Sequence, residues 1–302
     1  MSMSDPGLQS VDLKFFLPPE PLRPFVTTFY HMRIDATPRR PVVDWLHPEW
    51  GNIRLILSGS MRAGIGDEPV HEVPKATLTG PTSSSIRFEA AQVNCWGIGL
   101  LPLGIARFSA IHAHELADRV TELSSSVPLV PVAGMLGKLA EAGENLAAGA
   151  EYLASVFVPL LHTEARREEE IVMVQKALLD PACHAVADLA AATGMNARTL
   201  ERFCSDVFGF PPQLLLRRQR FLRSLGQFML DPSMKWIETI DPHYHDQAHF
   251  VRDFKFFMGM TPREYSVLDH PVLSAAAKGR MEAAGAPMQV LHNPDSPHHQ
   301  LA

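Results

Sequence analysis

Cysteine is scarce in this 302-residue chain: Cys95, Cys183 and Cys204 are an odd number with no CxxC spacing. That argues against a disulfide framework and suits reduced thiols in a cytosol. Long apolar runs are missing too. The most apolar stretch, residues 93–106, is too short to span a bilayer and is broken by Gly97, Gly99, Pro102 and Gly104. The opening MSMSDPGLQS has neither the basic nor the apolar region of a signal peptide. A soluble, cytoplasmic protein without a membrane partner is therefore expected. Catalytic motifs are lacking as well: there is no GxSxG elbow, no phosphate-cradling glycine loop and no HExxH. His112-Ala113-His114 has a spacing that two metal ligands could use, but no third ligand stands nearby in sequence. We expect no enzyme, no cofactor and no metal.

A large excess of one charge is also absent. The formal net charge is -6, and residues 171–268 hold 11 Lys and Arg against 10 Asp and Glu, so the acidity lies in the other segments. A slightly basic module joined to an acidic one fits nucleic-acid binding by part of a chain. With 46% hydrophobic and 20% charged residues, the composition is that of a globular protein, and its length suits two domains.

Residues 11–125 are rich in proline and glycine and carry short apolar runs, at 52–57, 76–79 and 95–100, separated by turn-formers such as Ser58-Gly59-Ser60. Such spacing predicts a sheet, as a small barrel or sandwich of cupin-like form. Residues 126–165 read as a helical connector rich in Ala, Leu and Glu, a face of which could serve a second copy or its own barrel. The mixed-sign run 164–170 reads as a solvated helix face. Residues 269–302, with little periodicity and the pair His298-His299, read as a flexible tail.

Between them, residues 166–268 contain a duplication with an offset of 50. Leu200, Arg202, Cys204, Phe208, Gly209 and Pro212 match Phe250, Arg252, Phe254, Met258, Gly259 and Pro262. Each copy is a buried helical stripe closed by a glycine. In the first, the helix former Ala185–Thr193 meets Gly194, and Asn196 can cap a second helix with Leu200, Phe203, Cys204 and Val207 inward. Helix, glycine turn and capped helix make a helix-turn-helix unit. Its outward face then offers Asn196, Ala197, Arg198, Glu201 and Arg202 to base edges in a major groove. In the second copy, Asp246 is the cap, Phe250, Phe254 and Phe257 face inward, and Gln247, Ala248, His249 and Arg252 face out. Between the copies, Pro211-Pro212 starts a long helix whose Arg217, Arg218, Arg220 and Arg223 could offset phosphates.

Segment 185–266 resembles the DNA-binding domain of the AraC/XylS regulators. Asp246-Gln247-Ala248-His249-Phe250 through Gly259-Met260-Thr261-Pro262 is similar to that family's signature, and residues 97–123 more loosely resemble a sensor domain found ahead of it. The resemblance implies an α+β chain of bacterial type. A β-rich sensor precedes an all-α domain with two helix-turn-helix units, double-stranded DNA as partner, and regulation of transcription by a small molecule or partner. RNA polymerase and a second copy of the chain are further candidate partners. One departure stands out: His243-Tyr244, preceded by Pro242, replaces the family's glycine-phenylalanine turn, and Glu238 and Thr239 replace an apolar residue and alanine. The helix before the second reading helix should be short or distorted, which puts base reading by that unit in question.

In the first domain Trp45, His47 and Trp96 are candidates for an effector pocket, with Trp50 beside them. Two other classes stay open. One is an enzyme built on the barrel with the helical domain as a targeting module; alkyl repair would need an activated cysteine, and Cys95 sits in an apolar run with no adjacent base. The other is a protein-binding adaptor that has lost DNA reading.

Overall fold

The computed structural model describes residues 9–127, 131–162 and 167–296. His298-His299 and residues 164–166 lie outside them. The first region is one antiparallel sheet of β1 (Ser10–Phe16), β2 (Val26–Asp35), β3 (Val42–Leu46), β4 (Gly51–Ile65), β5 (His71–Glu72), β6 (Ala76–Thr79), β7 (Ile86–Leu100) and β8 (Val120–Glu122). Two short helices, α1 (Pro102–Phe108) and α2 (Ala113–Leu116), precede β8, and α3 (Leu123–Ser126) follows it. The strand order is β1-β2-β7-β4-β6-β8, with β3 on the first half of β7 and β5 on β4. Ser58-Gly59-Ser60 is not the turn read from sequence. Strand β4 runs straight through it, with register shifts on both sides of a Gly59 at φ 77°. A Cβ there would lie 1.7 Å from the Gln92 carbonyl oxygen, so only glycine fits this bulge, which bends the strand.

Helices α4 (Val132–Ala142) and α5 (Leu146–Phe157) turn Met135, Leu139, Leu153 and Phe157 into the core. Gly149 of α5 lies directly on the indole of Trp96. The apolar side of this connector is thus spent on its own sheet.

The helical region comprises α6 (Glu168–Leu179), α7 (Val186–Thr193), α8 (Ala197–Phe208), α9 (Pro212–Leu230), α10 (Trp236–Thr239), α11 (Gln247–Met258), α12 (Pro262–Ser266) and α13 (Pro271–Ala284). The last corrects the expectation of a flexible tail over 269–302. Helix α13 packs on β1 and β3, with Val272, Leu273, Ala276 and Ala277 buried. Its start is fixed by Asp44 of β3, whose Oδ2 accepts from the amides of Val272 and Leu273, both at 3.0 Å. Beyond it, Gln289 completes the sheet. Its Oε1 accepts from Trp50 N at 3.0 Å, and its Nε2 donates to the carbonyls of Gly51 and Leu100.

One hydrophobic cluster runs through both regions. The seam includes Trp50 edge-on to Phe208 at 5.6 Å, Ser85 N donating to Phe257 O at 2.7 Å, and His47 Nε2 at 2.8 Å from the Tyr265 hydroxyl.

Candidate nucleic-acid interface

The two halves of the duplication superimpose in sequence to the residue: α8 spans 197–208 and α11 spans 247–258. Each begins on a side chain that accepts from an orphan amide, Asn196 from Thr199 N at 2.9 Å and Asp246 from His249 N at 2.6 Å. Each ends on a left-handed glycine, Gly209 at φ 84° and Gly259 at φ 72°. Leu200, Phe203 and Cys204 of the first, and Phe250, Phe254 and Phe257 of the second, are buried. The opposite faces are open: Asn196, Ala197, Arg198, Glu201 and Arg202, and likewise Gln247, Ala248 and Arg252, are exposed, and His249 is half-buried.

In front of α8, α7 ends at Gly194, φ 66°, which makes the turn between helices. In front of α11 there is only the four-residue α10, so the shortening expected from Pro242 is present. Thr239 is buried with its hydroxyl turned back to Trp236 O, and Glu238 caps its own helix at Lys235 N. The turn residue Tyr244 is buried, and its hydroxyl donates to Asp253 Oδ2 at 3.0 Å.

The arginines of α9 divide. Arg217 Nε donates to Asp253 Oδ1 at 2.6 Å, and Arg220 Nη2 to Asp253 Oδ2 at 3.3 Å. Arg223 bonds Asp241 at 2.6 Å. These three are half-buried partners of α11 and of the turn before it. Arg218 cannot meet a phosphate, which corrects its place among the DNA-contacting residues. It is 1% exposed, lies 4.0 Å over the Trp50 ring, and its Nη1 donates to the carbonyls of Glu49 and Thr82. Burial pulls its pKa down to about 9, against the attraction of Asp118 and Glu49. Periodicity marks Arg218 as one of a basic run; only the long-range fold makes it the bolt of the seam.

Trp45, His47 and Trp96 do not converge on one pocket. Trp96 lies under α5, and Trp45 stands against His270. His47 is enclosed between Tyr265 and Met288, and burial, with His270 and Arg280 nearby, lowers its pKa to about 3. A different cavity opens inside the sheet, under α13. Tyr30, Met32, Leu46, Met61 and Phe88 make its apolar wall, and Arg54 and Arg280 reach into it. Water-sized bodies have about 30 Å³ there as it stands. Glu49 bonds Arg54 at 3.1 Å and lies 3.8 Å from Arg280. Sequence gave no sign of this group, because its members come from four strands and a helix that reads as tail.

His112 and His114, set at the start of α2 rather than on a strand, both lie against Asp206 of α8, at 3.3 and 3.2 Å. Among the described residues no group of three or more side chains is arranged to hold a metal ion. Cys95 is fully buried, and burial raises its pKa to about 12, which is unfit for a thiolate nucleophile.

A family model described as a helix-turn-helix domain matches residues 189–266. This segment is a helix-turn-helix domain. The match bears out the resemblance to AraC/XylS regulators over that segment, and no curated protein matches the chain significantly. Among solved structures the chain is similar to ToxT from Vibrio cholerae, at 11% identity and TM-score 0.45, over 85% of this chain and 97% of that one. ToxT from strain O395 bound to (E)-4-(8-methylnaphthalen-1-yl)but-3-enoic acid gives 12% identity, TM-score 0.43, and coverage of 85% and 98%. At such scores the functional reading rests on the helix-turn-helix domain and its geometry. No described helix is long and apolar enough to cross a membrane.

Proposed function

We propose that the chain is a sequence-specific, DNA-binding regulator of transcription that reads with α8 and α11. One observation carries this reading. Two helices of equal length, each capped and each closed by glycine, are held on one α9 and leave Arg198 and Arg202, and Gln247 and Arg252, uncovered at their N-terminal halves. Arginine and glutamine there can make bidentate contacts to guanine and adenine. The second unit keeps this role, because Asp253 and Tyr244 anchor α11 in place of a full preceding helix.

The effector seat is the cavity under α13. The cavity as it stands has room for about one water, so an effector enters only as α13 moves off; an apolar molecule whose anionic group competes with Glu49 for Arg54 and Arg280 suits the wall so opened. Arg280 and Tyr265 flank one continuous segment, so a molecule that displaces α13 acts directly on the second helix-turn-helix unit.

Selection from random duplexes followed by sequencing tests the reading, with Arg198→Ala/Arg202→Ala as control. The expected result is two half-sites about one helical turn, roughly 10 base pairs, apart, one of which the double variant loses. No enriched sequence at low salt would overturn the proposal.

A further inference from the structure

Between the two helix-turn-helix units lies a cleft of about 690 Å³ that the duplication does not explain. One wall is the start of α7, with His184 just before it; the other is the start of α11, with His245, His249 and Arg252; Arg217 and Arg220 of α9 form the floor. The histidines are grouped. His184 stacks on His243 at 4.6 Å, and His245 on His249 at 5.9 Å. Of these, His243 and His245 belong to the turn in which the second unit departs from the family pattern, His249 to the first turn of α11, and His184 to the approach to α7.

The acids around them are already engaged. Asp253 is held by Arg217, Arg220 and Tyr244. Asp241 is held by Arg223 and lies 2.9 Å from His243. Asp246 caps α11. Asp180 accepts from Ala182 N, and Asp188 accepts from the amides of His184 and Ala185, with its Oδ2 3.5 Å from His184 Nδ1. That leaves Arg252 and the outer edges of His245 and His249 facing open space with no carboxylate on them. Arg220 Nη2 donates to Nε2 of His249 at 3.3 Å, which requires that nitrogen to be unprotonated. Burial holds the pKa of His249 below its ordinary value, and Arg220, Arg252 and His245 push the same way against Asp253.

A DNA strand passing from the groove read by α8 to the groove read by α11 has to cross the space between the units. In helix-turn-helix proteins the first helix is the part that crosses the backbone. We infer that this cleft seats the phosphates of that crossing strand, and that His184, His245 and His249 take up protons as it binds, so that DNA affinity rises as pH falls. The inference rests on the DNA-reading proposal. An arriving phosphate supplies the anion the cleft lacks, draws Arg220 from His249, and favours the charged imidazoles. Histidine is the side chain that changes charge between about pH 5 and 8, so the effect is to be sought across that interval. Each histidine charged in the complex also adds a phosphate contact, hence close to one more counterion released.

The test is fluorescence-anisotropy titration of the full chain with its selected duplex at about pH 6 and about pH 8, over a range of salt. A rise of one pKa unit in one histidine on binding corresponds to a roughly 10-fold change in affinity. The parent should therefore bind roughly 10-fold or more tighter at the lower pH, with a steeper salt dependence there. The variant His184→Gln/His245→Gln/His249→Gln should lose most of that difference. His245→Arg, at an exposed position that leaves the fold alone, should bind at the higher pH nearly as tightly as the parent does at the lower. Equal pH dependence in parent and triple variant, or flat binding by the parent, overturns the proton-linked seat and leaves DNA reading intact. No duplex binding at either pH removes both.

Discussion

The two copies of the duplication end in helices of the same length, α8 and α11, each capped by a side chain, yet they reach them by different routes. The first uses an eight-residue α7 and a left-handed glycine, with α7 packed against α6 and α9. The second has four residues of α10, a proline and two histidines, and it fixes α11 from the other side through Asp253 between two arginines of α9. The second helix of such a motif needs to be held, but the support can come from the linker helix and not only from its partner in the motif. The first unit depends on apolar packing; the second adds a buried ion-pair network to the packing of Phe250, Phe254 and Phe257.

Asp253→Ala breaks this contrast most severely. It leaves Arg217 and Arg220 without their carboxylate and Tyr244 without its acceptor, at a cost of about 3 kcal/mol in global stability. Urea unfolding monitored by tryptophan fluorescence would give that number, and a cost below about 1 kcal/mol would mean that α11 is held by its phenylalanines alone. Arg217 and Arg220 keep some access to water, which is why the expected cost sits at the lower end for a broken buried pair.

Smaller effects sharpen the comparison. Asn196→Ala and Asp246→Ala each remove one cap and should each cost about 1 kcal/mol. Hydrogen exchange in the two helices separates them. If the units stand on different supports, the first variant exposes amides of α8 alone and the second those of α11 alone. Exchange that rises in both helices with either variant would mean that they open as one unit. The smallest change is Tyr244→Phe, which keeps the ring against Phe250 and deletes one bond to Asp253, for about 0.5 to 1 kcal/mol. Chemical denaturation at matched salt measures it, and a loss as large as that of Asp253→Ala would place the anchor in the tyrosine rather than in the arginines.

How far these parts were legible in the sequence follows from how local their causes are. Caps, closing glycines and the i, i+4, i+8 stripes of α8 and α11 are fixed by neighbours within a few residues, so their ends follow from the duplication. The shortened α10 was visible in Pro242 for the same reason. Arg218 looks like its neighbours Arg217 and Arg220 in sequence. Its fate is set by Glu49 and Thr82, some 169 and 136 residues away. Helix α13 reads as tail because its inward face is Val272, Leu273 and alanines, small enough to lie flat on a sheet and too even to make a stripe. Gly59 carries the signature of a turn, but the pairing of β7 all along β4 makes it a bulge. Trp45, His47 and Trp96 fail to converge for a related reason: tryptophans are conspicuous in a sequence, whereas a cavity is defined by which strands the sheet brings together.

Gln289 gives the molecule a timetable. Its side chain serves the carbonyl of Leu100, which the ribosome made 189 residues earlier, and α13 covers strands that are older still. At roughly 5 to 20 residues per second of synthesis, the first domain waits about 10 to 40 s for its last pieces. During that interval it carries an uncovered wall and unpaired backbone groups. The first domain of a nascent chain is therefore incomplete until residues 271–291 emerge, and the two regions mature together rather than in the order in which they are written.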